Sequence, residues 1–189
     1  MSALKPEVRD KRDQLERFVE LLGTYASSVL TGRLLADVTH GELTSAQFDA
    51  MMFIERHGGC SAKALSEGLH ISIPSSTRLV DRLVRKRLVD RRESGEDRRL
   101  VRLTVTPVGL RTLAAMRDAR VARLRQTLET FAPAERERLL ELMERFLLAA
   151  LRDEQTVHDC CLHCGADHDG GCVVNEAYLA LVGRPIEHP

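Results

Sequence analysis

Tryptophan is absent from the 189-residue chain, and only two tyrosines and five phenylalanines are present. Leu, Ala and Arg dominate instead, a balance that disfavours a β-sandwich and favours helices carrying aliphatic stripes. No uncharged run approaches the roughly 18–20 apolar residues needed to cross a bilayer. The opening stretch MSALKPEVRDKRDQ is charged and lacks the apolar core of a secretory signal. Both absences point to a cytoplasmic protein that does not enter the membrane. There thiols stay reduced, and paired cysteines hold metal more often than they form disulfides. A nucleophile elbow, a phosphate-cradling glycine loop and an H-E-x-x-H helix are also missing, so no enzyme is expected. Net charge is lacking too, with 28 basic against 28 acidic residues.

That neutrality conceals a segregation. Residues 78–102 hold ten Arg/Lys against five Asp/Glu, whereas residues 153–189 hold one basic residue, Arg184, against seven acidic ones. A DNA phosphate responds to the local field and not to the total.

Leu15, Phe18, Val19, Leu22, Ala26, Val29 and Leu30 recur at helical spacing and predict a long amphipathic helix over residues 8–31. Leu34, Leu35 and Val38 offer a continuation past Gly32. Thr44 and Gln47 form a capping box that opens a short helix, stopped at His57-Gly58-Gly59. Ser61 caps a second short helix ending near Gly68. Ser72 caps a third, with Pro74 in its first turn, where a missing N–H costs little. In this third helix Leu79, Val80 and Leu83 share an apolar side, while Ser75, Arg78, Arg82 and Arg85 make one polar, cationic stripe. Leu88 and Val89 then begin a strand, a polar turn with Gly95 follows, and Val101, Leu103 and Val105 alternate as a second strand. Thr106-Pro107 opens a helix through Leu110, Leu113, Val121, Leu124 and Leu128. Pro133 starts another, whose Leu139, Leu142, Met143, Phe146, Leu147 and Leu151 cover so wide an arc that a second subunit is expected.

Two short helices, a cationic helix and a charged hairpin make a mainly α protein built on a winged helix-turn-helix. An α-helix fits the major groove of duplex DNA, so a helix anchored by its apolar side can offer the other to base edges. Pro74, Ser75, Ser76 and Arg78 lie at its N-terminal end, where free N–H groups and the helix dipole favour phosphate. Arg82 and Arg85 lie further along. At the hairpin tip, Arg98 and Arg99 have the reach for an adjacent minor groove.

The runs Thr77-Arg78-Leu79-Val80-Asp81-Arg82-Leu83, Leu88-Val89, Asp97-Arg98-Arg99 and Leu103-Thr104 resemble the core signature of the MarR family of regulators. The resemblance covers residues 44–110 or so. It implies a homodimer, a pseudo-palindromic operator, repression, and relief by a small-molecule ligand or an oxidant. It also implies that residues 73–86 are the recognition helix and that Asp97 is the wing acid bracing an arginine. The organisation expected is then a dimerisation helix over 1–40, the DNA-binding domain over 41–106, dimerisation helices over 107–152 and an added tail over 153–189. Arg87 departs from the family, which commonly has glycine there to ease a left-handed helix end.

The tail carries TVHDCCLHCGADHDGGC, residues 156–172. With few bulky apolar residues, this segment is expected not to order itself by burial. It is rich in soft ligands. Cys161, Cys164, His168 and Cys172 give the order C-x2-C-x3-H-x3-C, similar to a compact zinc knuckle, and would surround a tetrahedral zinc. With Cys160 as an alternative ligand, four thiolates would instead suit an iron–sulfur cluster. Cys60 stands alone before the Ser61 cap, either a thiol sensor at a helix N-terminus or a small buried residue. A winged-helix module that docks onto a protein is the alternative to a DNA reader.

Overall fold

The computed structural model describes residues 10–93, 101–164 and 171–186. The first helix, α1 (Lys11–Tyr25), passes through a π-helical segment (Ala26–Arg33) into α2 (Leu34–Thr39). The aliphatic stripe does continue past Gly32, but in an altered winding. Ser27 sits at the junction, its hydroxyl donating to the carbonyls of Gly23 and Thr24. Such side-chain competition for helix carbonyls accompanies local rewinding.

Three short helices follow: α3 (Ser45–Arg56), α4 (Ala62–Gly68) and α5 (Ile73–Arg85). Each starts where a hydroxyl can replace a missing backbone partner. Thr44 accepts from the Gln47 N–H at 3.3 Å while the Gln47 side chain accepts from the Thr44 N–H at 3.2 Å. Ser61 accepts from Ala64 at 3.1 Å, and Ser72 from Ser75. The strands β1 (Val89–Glu93) and β2 (Val101–Val105) pair antiparallel, with Val89 opposite Val105 and Arg91 opposite Leu103. Cys60 adds a bridge to Leu103 on the other edge of β2.

Thr106 joins hairpin and helix. Its hydroxyl accepts from the Gly109 N–H at 3.1 Å and donates to the Arg87 carbonyl at 2.7 Å, so one residue starts α6 (Pro107–Leu128) and ties it to the end of α5. Gly109 lets α6 approach closely: a Cβ there would lie 2.6 Å from Val105 Cγ1 and would also strike the Leu88 carbonyl.

One core runs through these pieces. Phe48, Met51, Ile54, Leu65, Val80, Leu83, Val89 and Leu103 are buried together, and Leu113 and Met116 of α6 close it from beneath. By contrast α7 (Pro133–Ala150) has no buried residue, and α1 has none either.

The chain ends in a helical hairpin, α8 (Glu154–Cys164) and α9 (Val173–Val182). Asp153 starts α8 by accepting from the Thr156 N–H and hydroxyl, bonds that hold its carboxyl below the usual range. This corrects, for residues 156–164, the expectation that the segment 156–172 would not order itself; residues 165–170 lie outside the described residues. Val157 and Cys161 are buried against Val174, Ala177 and Tyr178, over Leu148 and Leu151 at the end of α7. The apolar residues are few, but they fall at i, i+4 spacing on α8 and i, i+3, i+4 on α9, enough for a second, small core. Among the described residues, no helix is long and apolar enough to cross a membrane.

Candidate nucleic-acid interface

The strongest amphipathic contrast in the chain lies on α5. Val80 and Leu83 are fully buried and Leu79 packs against the same core. Pro74, Ser75, Arg78, Arg82 and Arg85 are all exposed on the other side. The guanidinium groups of Arg78 and Arg82 have no hydrogen-bond or ion-pair partner among the described residues. Arg85 turns back to the Asp81 carbonyl at 3.4 Å. Two side chains hold the helix start, as the Ser72 hydroxyl donates to Ser75 Oγ at 2.9 Å.

Ser76 must be removed from the groove-facing set. It is fully buried, and its hydroxyl donates to the Ala62 carbonyl of α4 at 3.0 Å. One position beyond Ser75 the helix has turned by about 100°, which carries this small side chain into the α4–α5 contact. Its function is to fix the angle between the two helices.

The end of α5 resolves the question posed by Arg87. Arg87 takes a left-handed conformation, φ 58°. The Arg87 N–H reaches the Val84 carbonyl at 2.9 Å and the Leu88 N–H reaches Leu83 at 3.0 Å. This is the paired closure that normally employs glycine. Arginine therefore sits in the glycine conformation, at a cost of about 1–2 kcal/mol in backbone strain, and adds a cation beside Arg85 and Lys86.

An ion pair that sequence reasoning did not assign joins helix and wing. Arg91 of β1 meets Asp81 of α5 at 2.8 Å, both partly solvated. It ties the root of the hairpin to α5, although a pair so exposed contributes little stability, about 0–1 kcal/mol. A signal was present, since Asp81 is the one acid in the Arg78–Arg85 run, but spacing alone does not show which arginine it meets. Asp97, Arg98 and Arg99 lie outside the described residues.

Cys60 is half-buried between α3 and β2, where burial pushes its thiol up to about 11 despite the opposing pull of Arg102. At neutral pH it is protonated and a poor nucleophile, which favours the structural reading over a sensor.

Of the candidate metal ligands, Cys161 is buried in the hairpin core, Cys164 is the last residue of α8, and Cys172 is the half-buried residue just before α9. Cys160 is exposed, and His168 lies outside the described residues. Among the described residues no group of three or more metal-ligating side chains is gathered.

The comparisons bear on the helix-turn-helix directly. Residues 42–100 match the sequence profile of the MarR family. Over 116 residues the chain is 28% identical to the HTH-type transcriptional regulator YfiV of Bacillus subtilis, an alignment covering 60% of this chain and 72% of YfiV. A MarR family protein from Bacillus stearothermophilus is similar in structure, with a TM-score of 0.57 at 26% identity, over 74% of this chain and 99% of its own. A variant of S. aureus MepR bound to an oligodeoxyribonucleotide shares the fold, with a TM-score of 0.55 at 15% identity, over 74% of this chain and 97% of its own. About a quarter of this chain thus has no counterpart in those two structures. Residues 42–100 of this chain are thus similar to the MarR family, and the described fold is shared with a solved MarR family protein.

Proposed function

We propose that this chain is a transcription regulator, acting as a repressor, that binds double-stranded DNA as a homodimer. Its two α5 helices enter successive major grooves of a pseudo-palindromic operator, and the wings reach the flanking minor grooves. A small ligand or an oxidant relieves binding. The observation that carries this reading is the free guanidinium face of Arg78 and Arg82 on a helix whose opposite side is locked into the core. That is the geometry of a helix placed to be read against a polyanion. The oligodeoxyribonucleotide held by the MepR variant supports duplex DNA as the partner. The homodimer is supported by the apolar side chains left exposed on α1 (Leu15, Phe18, Leu22) and α7 (Leu142, Met143, Phe146). Monomeric proteins rarely expose so many large apolar side chains on neighbouring helix turns, and a second subunit would cover them.

The test is selection of duplexes from a random pool, followed by anisotropy titrations over a salt series. The selected sequences should contain inverted half-sites about 10 base pairs apart, centre to centre. Six phosphate contacts per dimer would lower affinity by about 10³-fold between roughly 50 and 200 mM salt. A pool that shows no enrichment, or binding indifferent to salt, would sink the reading.

A further inference from the structure

We infer that the α8–α9 hairpin is a strap, bound firmly to the end of α7 and releasably to the helix-turn-helix, that sets the angle between α7 and α5. What the strap does on DNA rests on the dimer proposed above, whereas its hold on the helix-turn-helix can be measured with no nucleic acid present.

The need for a strap follows from how the long helices are anchored. Gly109, Leu113 and Met116 are the buried residues of α6, all in its first half, and α7 buries none. The rest of α6 and the whole of α7 therefore project from the core, and a helix held at one end can pivot. The hairpin supplies a second attachment, because α7 packs chiefly on α9 and α8 returns to pack on α3.

The two ends of the strap are held by different chemistry. At α7 the hold is apolar, with Leu148 and Leu151 packed among Val157, Val174, Ala177 and Tyr178. Beyond α9 the Ile186 N–H donates to the Asn175 side chain at 2.9 Å, which folds the following chain back onto the hairpin. At the helix-turn-helix the hold is polar. Arg56, the last residue of α3, donates a guanidinium N–H to the backbone carbonyl of Cys161 on α8. Asp159 faces His70 Nε2 at 3.5 Å, and the Gln155 amide donates to the same carboxylate oxygen at 3.0 Å. The hairpin core and the helix-turn-helix core have no residue in common. Buried apolar area is costly to re-expose, while solvated polar contacts exchange with water at little net cost. The joint that yields is the one at α3.

Placement makes that joint consequential. Arg56 ends α3 and His70 lies in the turn from α4 to α5, so the strap grips the helix-turn-helix on both sides of α4. Ile54, Leu65 and Val80 share one core, so α3, α4 and α5 turn as one body. With the strap seated, the angle of α5 to α7 is fixed. Once it is released, α5 pivots about the root of α6.

The deciding variant is Arg56→Ala/Asp159→Ala in the full-length chain, which removes both polar contacts, lies off α5 and leaves both apolar cores intact. Spin labels on non-natural residues at positions 67 and 144, with labelled chain diluted in unlabelled chain, report the distance from α4 to α7 within one subunit. The unaltered chain should give a single narrow distance, and the variant a distribution about twice as broad. Hydrogen exchange should quicken about threefold at residues 54–58 and 69–72 and stay unchanged at 174–182. On a selected duplex, one base pair added between the half-sites should cost the unaltered chain about tenfold in affinity and the variant about threefold or less. Val157→Asp, which breaks the hairpin core and lets go from the other end, should reproduce the broadening and quicken exchange at 174–182 as well. A distance distribution as narrow in the double variant as in the unaltered chain would overturn the strap, whatever happens on DNA. Broadening with the spacing penalty undiminished would overturn its role in setting the angle. If no duplex is enriched, the DNA reading fails and the distance measurement alone decides the strap.

Discussion

Helices α5 and α7 both leave a broad face in water, yet the two faces differ in every chemical respect. On α5 the exposed side is cationic and the opposite side is buried to completion at Val80 and Leu83. On α7 nothing is buried, and Leu140, Leu142, Met143 and Phe146 remain about half exposed or more. A cationic face with its back anchored is already in a low-energy state in water and waits for a polyanion. An apolar face has no such rest state. At about 25 cal/mol per Å² of apolar area, covering several such side chains is worth several kcal/mol, so in the proposed dimer α7 would have a permanent partner and α5 an exchangeable one. The lesson is that exposure alone does not identify a binding surface; how the other side of the helix is held distinguishes an anchored reader from half of an interface.

The largest effect should come from placing a charge on the apolar face. Phe146→Asp puts a carboxylate where the dimer is proposed to exclude water. It should weaken association by about 2–4 kcal/mol, the range for central aromatic anchors, while leaving the helix-turn-helix core intact. Sedimentation velocity should then show monomer at concentrations where the unaltered chain is dimeric. Operator affinity should fall with it, because two half-sites are no longer bound together. If the variant sediments and binds like the parent, α7 faces solvent or another protein and the contrast with α5 disappears.

An intermediate effect tests the other side of the comparison. Arg82→Ala, or Arg78→Ala, removes a solvated guanidinium and should cost about 1–3 kcal/mol in operator binding if that side chain reads a base. Loss of a phosphate contact would instead weaken all sequences alike and lower the salt slope by about one. In neither case should thermal stability or sedimentation change. Binding unchanged for both variants would take this face out of the interface.

Much of this architecture could be read from sequence because its rules are local. Thr44 with Gln47, Ser61, Ser72 and Thr106-Pro107 mark four helix starts, and each is a hydroxyl within reach of an N–H three residues on. The cationic stripe of α5 follows from periodicity in the same way. What escaped depends on contacts between elements. Ser76 belongs to the polar side by composition, but the Ala62 carbonyl, fourteen residues away, accepts its hydroxyl and makes burial cheap. The Asp81–Arg91 pair and the docking of α8 on Arg56 are likewise invisible to spacing. Composition misled at the tail, where a handful of apolar residues at the right intervals was enough for a core. The π-helical winding over Ala26–Arg33 left no mark on the aliphatic pattern, which tolerates a small change of pitch.

The smallest effect concerns what holds α5 at its far end. Arg87 occupies a left-handed conformation in which an L side chain crowds its own backbone, and glycine does not. Two terms oppose each other in Arg87→Gly. Relief of strain favours the folded state by about 1–2 kcal/mol, and the freer unfolded chain of glycine disfavours it by about 0.4–1 kcal/mol. The hydrogen bonds from Arg87 N–H to Val84 and from Leu88 N–H to Leu83 are main-chain and survive the change. So does the Thr106 bond to the Arg87 carbonyl. A net gain of up to about 1.5 kcal/mol should therefore appear as a raised denaturation midpoint with an unaltered slope. Operator affinity should drop modestly in the same variant, and more at low salt, because a cation next to Arg85 and Lys86 has gone. Opposite signs for stability and binding would show that the arginine is kept for the charge it presents and in spite of the backbone it must adopt. Equal losses in both would mean that its side chain packs to structural effect, and the end of α5 would then belong to the core and not to the reading face.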